Sequence, residues 1–247
     1  MRDEDGVLLF AGGHNYPGTY TNGVIRTDGG VAPADVLERA SAFFRPLRRG
    51  YAVWVRDHAD ADLDEAVREA GLWARPPVEG IPALAVDAPL GDVPSAPGLS
   101  IHPADDDEGR REYLRVVAEG YDLGGIDDSL AAAIFCSVES LRAPEVLVLV
   151  GRAEGAPVSA ALAHIVDGDA SIQWTATVPG ARGRGFGRAL FAAACAGAFA
   201  RGARIVTAQS SAAGTPLWTS LGFRPVTRYR RYLARPPAPT TRTRAPG

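Results

Sequence analysis

The chain has 247 residues, of which 46% are hydrophobic and 22% charged, enough for one large or two modest folded domains with a buried core. A net charge of -3 and a pI near 5.8 argue against a protein that lives on nucleic acid or on an anionic membrane. All 26 basic residues are Arg, the mark of a GC-rich coding bias, so a lone Arg carries less functional weight here than usual.

The first half reads as alternating strands and helices. Asn22–Thr27 is predicted as a strand, Ala34–Pro46 as a helix and Tyr51–Arg56 as a strand. Leu63–Gly71 follows as a helix and Ile81–Asp87 as a strand. Met1-Arg-Asp-Glu-Asp does not read as a secretory signal, and no apolar run approaches the roughly 20 residues of a membrane span. Cys136 and Cys195 sit in apolar surroundings without metal-ligand spacing, so no metal site is expected. A reduced, cytoplasmic protein is the expectation.

Composition changes at Pro- and Gly-rich residues 89–98, which read as a linker, and again at the polar, Pro-rich tail 234–247, which reads as disordered. Domains are therefore expected at 1–88 and 99–233. In the second, Leu99–Pro103 is a strand and about Asp106–Glu119 a helix, its Asp105–Glu108 cluster suiting a helix N-terminus. A helix at Asp128–Leu141 precedes three strands, Glu145–Gly151, Pro157–Val166 and Ser171–Val178. The helix Gly185–Arg201, a strand Arg204–Gln209, a short helix Thr215–Leu221 and a strand Arg224–Tyr232 complete it. Gly71-Leu72 and Gly222-Phe223 lie 151 residues apart, as do Asn22 and Gln173, which suggests an internal duplication.

One segment carries chemistry. Val178-Pro-Gly-Ala-Arg182-Gly-Arg-Gly185-Phe-Gly187-Arg188 joins a predicted strand to a predicted helix. A Gly-rich turn feeding a helix N-terminus directs backbone N–H groups, and about half a positive charge, at an anion. Arg182, Arg184 and Arg188 add possible charge-assisted donors. The chain has no Lys for a Walker A loop. Arg188 stands where a dinucleotide fingerprint needs its third Gly.

Arg182-x-x-Gly185-x-Gly187 resembles the R/Q-x-x-G-x-G/A signature of the GNAT superfamily of acyl-CoA-dependent N-acetyltransferases. The resemblance covers about Leu99–Tyr232, including Pro179 after the strand and Leu221-Gly222-Phe223. It implies a mixed α/β fold of α+β character, a central mixed sheet flanked by helices. The first half resembles a degenerate partial repeat, with Asp28-Gly-Gly-Val-Ala-Pro-Ala-Asp35 where the signature would stand. The resemblance also implies that Arg182, Gly183, Arg184, Gly185, Phe186, Gly187 and Arg188 cradle the pyrophosphate of acetyl-CoA. Thr175, Ala176 and Thr177 would pair with its pantetheine arm like an added strand.

The same resemblance implies acetyl transfer to a primary amine, small or peptidic, in a ternary complex. The oxyanion donor is expected to be a backbone N–H near Ala176. Ile172 and Gln173 stand where many members carry a Glu base, and Trp218 stands where many carry a Tyr acid. Gln173 can hold a water but cannot take the proton. Tyr121 and Asp122 are candidates to hold the amine, although the same segment reads more simply as a solvated turn with Asp127 or Asp128 capping the next helix. His164 reads as a packed or surface histidine, Cys195 as helix core, and Arg228, Arg230 and Arg231 as a solvated edge rather than a 3′-phosphate site. Two rival readings stay open: a non-catalytic acyl-CoA sensor, and an RNA-binding module built on the Arg-Gly loop.

Overall fold

The computed structural model describes residues 1–12, 21–92, 95–122, 138–212 and 214–235. Most of the expected helix at Asp128–Leu141 lies outside these residues, as do Cys136, Asp127, Asp128 and the tail from 236. Its described end, Ser140–Arg142, is one turn of 3-10 helix. No described helix is long and apolar enough to cross a membrane.

The chain divides into two units, Met1–Gly80 with Arg228–Gly247, and Ile81–Thr227. In the first, β1 (Arg2–Glu4) and β2 (Val7–Ala11) form a hairpin that the sequence reading missed. Its turn residues Asp5 and Gly6 have φ of 40° and 87°, the geometry of a tight hairpin turn that Asp-Gly favours. β2 pairs antiparallel with β3 (Asn22–Arg26), which pairs parallel with β4 (Tyr51–Arg56). The chain's last strand is β12 (Arg224–Ala234), and its residues from Tyr229 pair antiparallel with β4 and, further along, with β5 (Trp73–Ala74). Helices α1 (Pro33–Leu47) and α2 (Ala61–Glu69) cover this sheet. Val36, Ala40 and Phe44, at helical spacing on α1, join Val24, Val53, Leu63 and Val67 in one core.

In the second unit the sheet order is β7 (Leu99–Pro103), β8 (Val146–Ala153), β9 (Ala156–Val166), β10 (Asp169–Thr177), β11 (Ile205–Gln209) and β6 (Ile81–Val86). Only β10 and β11 run parallel. The β8–β9 and β9–β10 turns are Glu154-Gly155 and Asp167-Gly168, again with positive φ at both residues. Helix α3 (Asp107–Gly120) starts under Asp106, whose side chain accepts from Gly109 N at 2.8 Å. Alternation along β8 separates two cores. Val148 and Val150 pack with Tyr113, Val116 and Val117 of α3, whereas Leu147 and Leu149 pack with Leu190, Phe191 and Ala194 of α4 (Phe186–Ala200). The short helix α5 (Thr215–Ser220) follows β11.

Three strands, a helix, a parallel strand and a second helix recur in both units, as the duplication requires. The Pro/Gly-rich segment at 89–98 does not mark the division between the units. Hydrogen bonding decides it: Ala83–Val86 of β6 are in register with β11 and Tyr229–Ala234 with β4.

A buried ionic cluster closes the first unit. Arg26, 1% exposed, donates to Asp60 Oδ1 at 3.0 Å, to both Asp62 oxygens at 2.9 and 2.6 Å, and to Val31 O at 3.1 Å. Arg56 adds backbone and side-chain donors to Asp60 at 2.8–3.0 Å. Burial alone would raise the Asp60 carboxyl, but these bonds outweigh it and hold it below the ordinary range. The hydrogen bond from Arg26 holds Asp62 at about 2. Asp60→Asn is expected to destabilise the chain by about 1.5–3 kcal/mol, the usual effect of weakening a charge-assisted hydrogen bond, since Arg26 keeps its bonds to Asp62. Both carboxyls titrate lower folded than unfolded, so their stabilisation is complete above about pH 4 and is lost as pH falls. Asp62→Asn should therefore lower the urea midpoint at neutral pH and flatten its decline between about pH 4 and 2. Parallel pH profiles for wild type and variant would contradict this assignment.

Candidate functional site

The site begins where two strands part. The parallel register of β10 with β11 runs from Asp169↔Ile205 to Ile172↔Ala208 and stops, while β10 continues to Thr177. On its other side the register with β9 shifts between Gln173 and Ala176. Trp174 occupies this bulge at φ 48°, a left-handed conformation that is uncommon for a bulky side chain. Beyond the bulge, Val178 N donates to Val158 O at 3.0 Å, and Ala176 O accepts from Ser159 Oγ at 2.9 Å. Residues 176 and 178 thus face β9. By the two-residue alternation of a strand, Thr175 and Thr177 turn their backbone groups to the free edge.

That edge leads into the Gly-rich turn. Gly183 and Gly185 have φ of 78° and 82°, which an L side chain resists, and Gly185 is the residue before α4. No side chain caps α4, so its first N–H groups remain available to an anion. A Cβ at Gly187 would stand 3.0 Å from Thr177 Oγ1, so glycine lets the helix start close against the end of β10. Arg188 Nε is buried without a hydrogen-bond partner. An unpaired buried guanidinium nitrogen beside an uncapped helix N-terminus fits a phosphate-bearing ligand.

The other expected residues divide into those at this site and those elsewhere. Arg182 donates from Nε to Thr177 O at 3.1 Å and from Nη2 to Gly120 O at 2.6 Å, tying α3 to β10 with its guanidinium on protein carbonyls. Arg184 lies over the Phe186 ring at 4.5 Å and pairs with Glu154 at 3.5 Å. The ladder turns the N–H of Ala176, the expected oxyanion donor, toward β9 and leaves Thr175 and Thr177 on the open side. Gln173 is exposed, with Nε2 3.4 Å from Ser171 Oγ. β10 does carry one carboxylate, Asp169, because it begins two residues earlier than expected, but Asp169 stands at the hairpin end opposite Val166. Trp218 stacks on Phe191 with ring centroids 3.8 Å apart and serves the core. Tyr121 OH donates to Thr175 O at 3.3 Å, and its ring meets Trp174 edge-on at 5.6 Å. Asp122 follows it at φ 53°.

Residues weighed and set aside in the sequence fall where packing explains them. His164 is exposed on β9. Burial pushes the Cys195 thiol up to about 12, and the residue belongs to the core of α4. Arg230 pairs with Asp64 at 3.0 Å, Arg231 donates to Pro76 O at 3.0 Å, and Arg228 N donates to Asp57 at 2.9 Å, all within the first unit. Trp174 and Gly120 were not singled out in the sequence. Gly120 is the last residue of α3, and a Cβ there would lie 2.7 Å from that of Ala176.

Among its described residues the first unit has no equivalent opening. Its parallel pairing reaches Ile25↔Trp54, one residue from the end of β3, and Arg26 is then neutralised by Asp60 and Asp62.

Residues 118–223 match the family model described as Acetyltransferase (GNAT) family. Among solved structures, a GCN5-related N-acetyltransferase from Kribbella flavida has a TM-score of 0.68 at 20% identity, covering 94% of this chain and 89% of that one. A functionally unknown conserved protein from Staphylococcus epidermidis has a TM-score of 0.67 at 13% identity, covering 96% and 93%. A tandem GNAT protein from the clavulanic acid biosynthesis pathway has 0.59 at 16%, covering 86% and 75%, and its tandem form agrees with the partial repeat seen here. No curated protein matches the chain. At these identities the structural likenesses establish the fold alone.

The contact between Gly120 and β10 sets a prediction of its own. Gly120→Ala is expected to lower stability by about 1–3 kcal/mol through overpacking against Ala176. An unchanged urea midpoint would show that α3 is free to move off the strand.

Proposed function

Because the chain carries an acetyltransferase domain of the GNAT family over residues 118–223, we propose that it is an acetyl-CoA-dependent N-acetyltransferase acting on a primary amine, small or peptidic. The observation that carries this reading is the free edge of β10, which runs directly into the uncapped N-terminus of α4. An extended amide chain lying on Thr175 and Thr177 would deliver its diphosphate to the turn from Gly183 to Arg188. The arm then adds to the sheet as a strand, and the diphosphate meets backbone N–H groups and Arg188. In the first unit the corresponding strands stay paired, so that unit offers no matching edge for a second acyl-CoA.

The chemistry follows from what is there. The amine nitrogen attacks the thioester carbonyl, the carbon–sulfur bond breaks, and the thiolate leaves with its electron pair. A free-edge N–H, that of Thr175 nearest the bulge, donates a hydrogen bond to the developing oxyanion. Gln173 stands on the same strand with an amide in place of a carboxylate, so it orients water and water takes the ammonium proton. Trp218 cannot supply a proton to the thiolate, which is a stable leaving group near neutral pH. This arrangement is positioning and backbone electrostatics with little help from side-chain acids or bases.

Acetyl-CoA at about 100 times its dissociation constant is expected to stabilise wild type by roughly 2.7 kcal/mol, read as a thermal shift. Arg188→Glu, which reverses the charge at the turn, should remove most of that shift while keeping the unliganded melting temperature. Release of free thiol from acetyl-CoA in the presence of primary amines then reports turnover. Binding with no turnover on any amine would make the chain an acyl-CoA sensor. No shift at millimolar acetyl-CoA would overturn the assignment of the site.

A further inference from the structure

The two free-edge carbonyls of β10 already have donors within the chain, and the two donors differ in kind. Thr177 O accepts from Arg182, whose guanidinium also holds Gly120 O at 2.6 Å. This is a charged, two-point staple between strand and helix. Thr175 O accepts from Tyr121 OH at 3.3 Å, a neutral and long bond. Tyr121 is 45% exposed and follows the last residue of α3, so its side chain can leave the strand without disturbing the helix. Its ring rests edge-on against Trp174, the bulge residue, which holds the hydroxyl over the edge.

We propose that Tyr121 is a displaceable placeholder. Its hydroxyl fills the hydrogen-bonding position at Thr175 that an amide N–H of the acyl-CoA arm takes on binding, and it thereby sets acyl-CoA affinity. The inference rests on the reading that the arm pairs with β10. A strand edge left bare would expose carbonyls to any passing strand, and a weak internal donor satisfies the edge until the ligand arrives. Arg182 is the fixed partner of the pair: it keeps the end of α3 on β10 whether or not Tyr121 moves. Acyl-CoA therefore exchanges one hydrogen bond for another at Thr175 instead of gaining one outright. The bound state also forfeits the ring contact with Trp174.

Tyr121→Phe keeps the ring and removes the competing donor. Titration calorimetry on the full chain, wild type and variant, would use coenzyme A and adenosine 3′,5′-bisphosphate, which carries phosphates but no pantetheine arm. The placeholder predicts that the variant binds coenzyme A about 2- to 10-fold tighter, the range expected for one competing hydrogen bond, with bisphosphate affinity unchanged. Equal or weaker coenzyme A binding by the variant would overturn it. So would an equal gain for both ligands, since that effect could not originate at the arm. If wild type binds neither ligand, the site reading itself fails and the placeholder fails with it. If wild type binds both and only the Tyr121→Phe selectivity is missing, the site stands and this inference alone is lost.

Discussion

A backbone N–H or carbonyl on a strand has to be paired, and β10 loses its neighbour halfway along. Its hydrogen bonds to β11 end at Ile172, five residues before the strand does. The bulge at Trp174 bends the strand at that place and fixes which residues face outward. Every other feature of the second unit answers this constraint. Ser159 secures Ala176 on the closed side, Arg182 and Tyr121 occupy carbonyls on the open side, and Gly120 and Gly187 allow α3 and α4 to approach the strand closely. The strand ends beside an uncapped helix with an unpaired Arg188 nitrogen, so one continuous edge offers amide pairing first and an anion site after it.

The first unit solves the same problem by avoiding it. β3 and β4 remain paired to within one residue of the end of β3, and the glycine turn that follows, Asp28-Gly29-Gly30, carries no Arg. Arg26 sits there with Asp60 and Asp62, an internal cation with internal anions. Desolvating Arg26 and Asp60 is costly unless each is paired, and here the half-exposed Asp62 and Arg56 complete the set. Where the second unit leaves a strand edge open, the first pairs its strands and holds its Arg with internal carboxylates.

Much of this was legible in the residues. The strand and helix order of the second unit, the Gly-rich turn and the acidic start of α3 at Asp105–Glu108 follow from periodicity and turn chemistry. The hairpin at Asp5-Gly6 was equally readable, since Asp-Gly before an apolar run is a strong local signal, yet it was passed over. Other features could not be read locally. Trp174 adopts a conformation its own propensity disfavours, in a setting where it packs against the α3 core cluster and Tyr121. Gly120 looks like an ordinary helix-ending glycine until the methyl of Ala176 is placed beside it. Arg182 looks like a phosphate ligand by spacing, but its reach to Thr177 O and Gly120 O depends on where α3 ends. The first unit's pairing with Tyr229–Ala234 joins residues more than 170 positions apart, a separation that composition cannot reveal.

Hydrogen–deuterium exchange tests the central claim most directly, because it reads the backbone edge on which the account depends. Amides in the segment Trp174–Val178 would be followed with no ligand, with adenosine 3′,5′-bisphosphate and with coenzyme A. The account predicts that both ligands slow exchange around Gly183–Arg188, and that only coenzyme A slows it at Thr175 and Thr177. Slowing confined to the Gly-rich turn with coenzyme A bound, and none along β10, would contradict the placing of the arm on this strand.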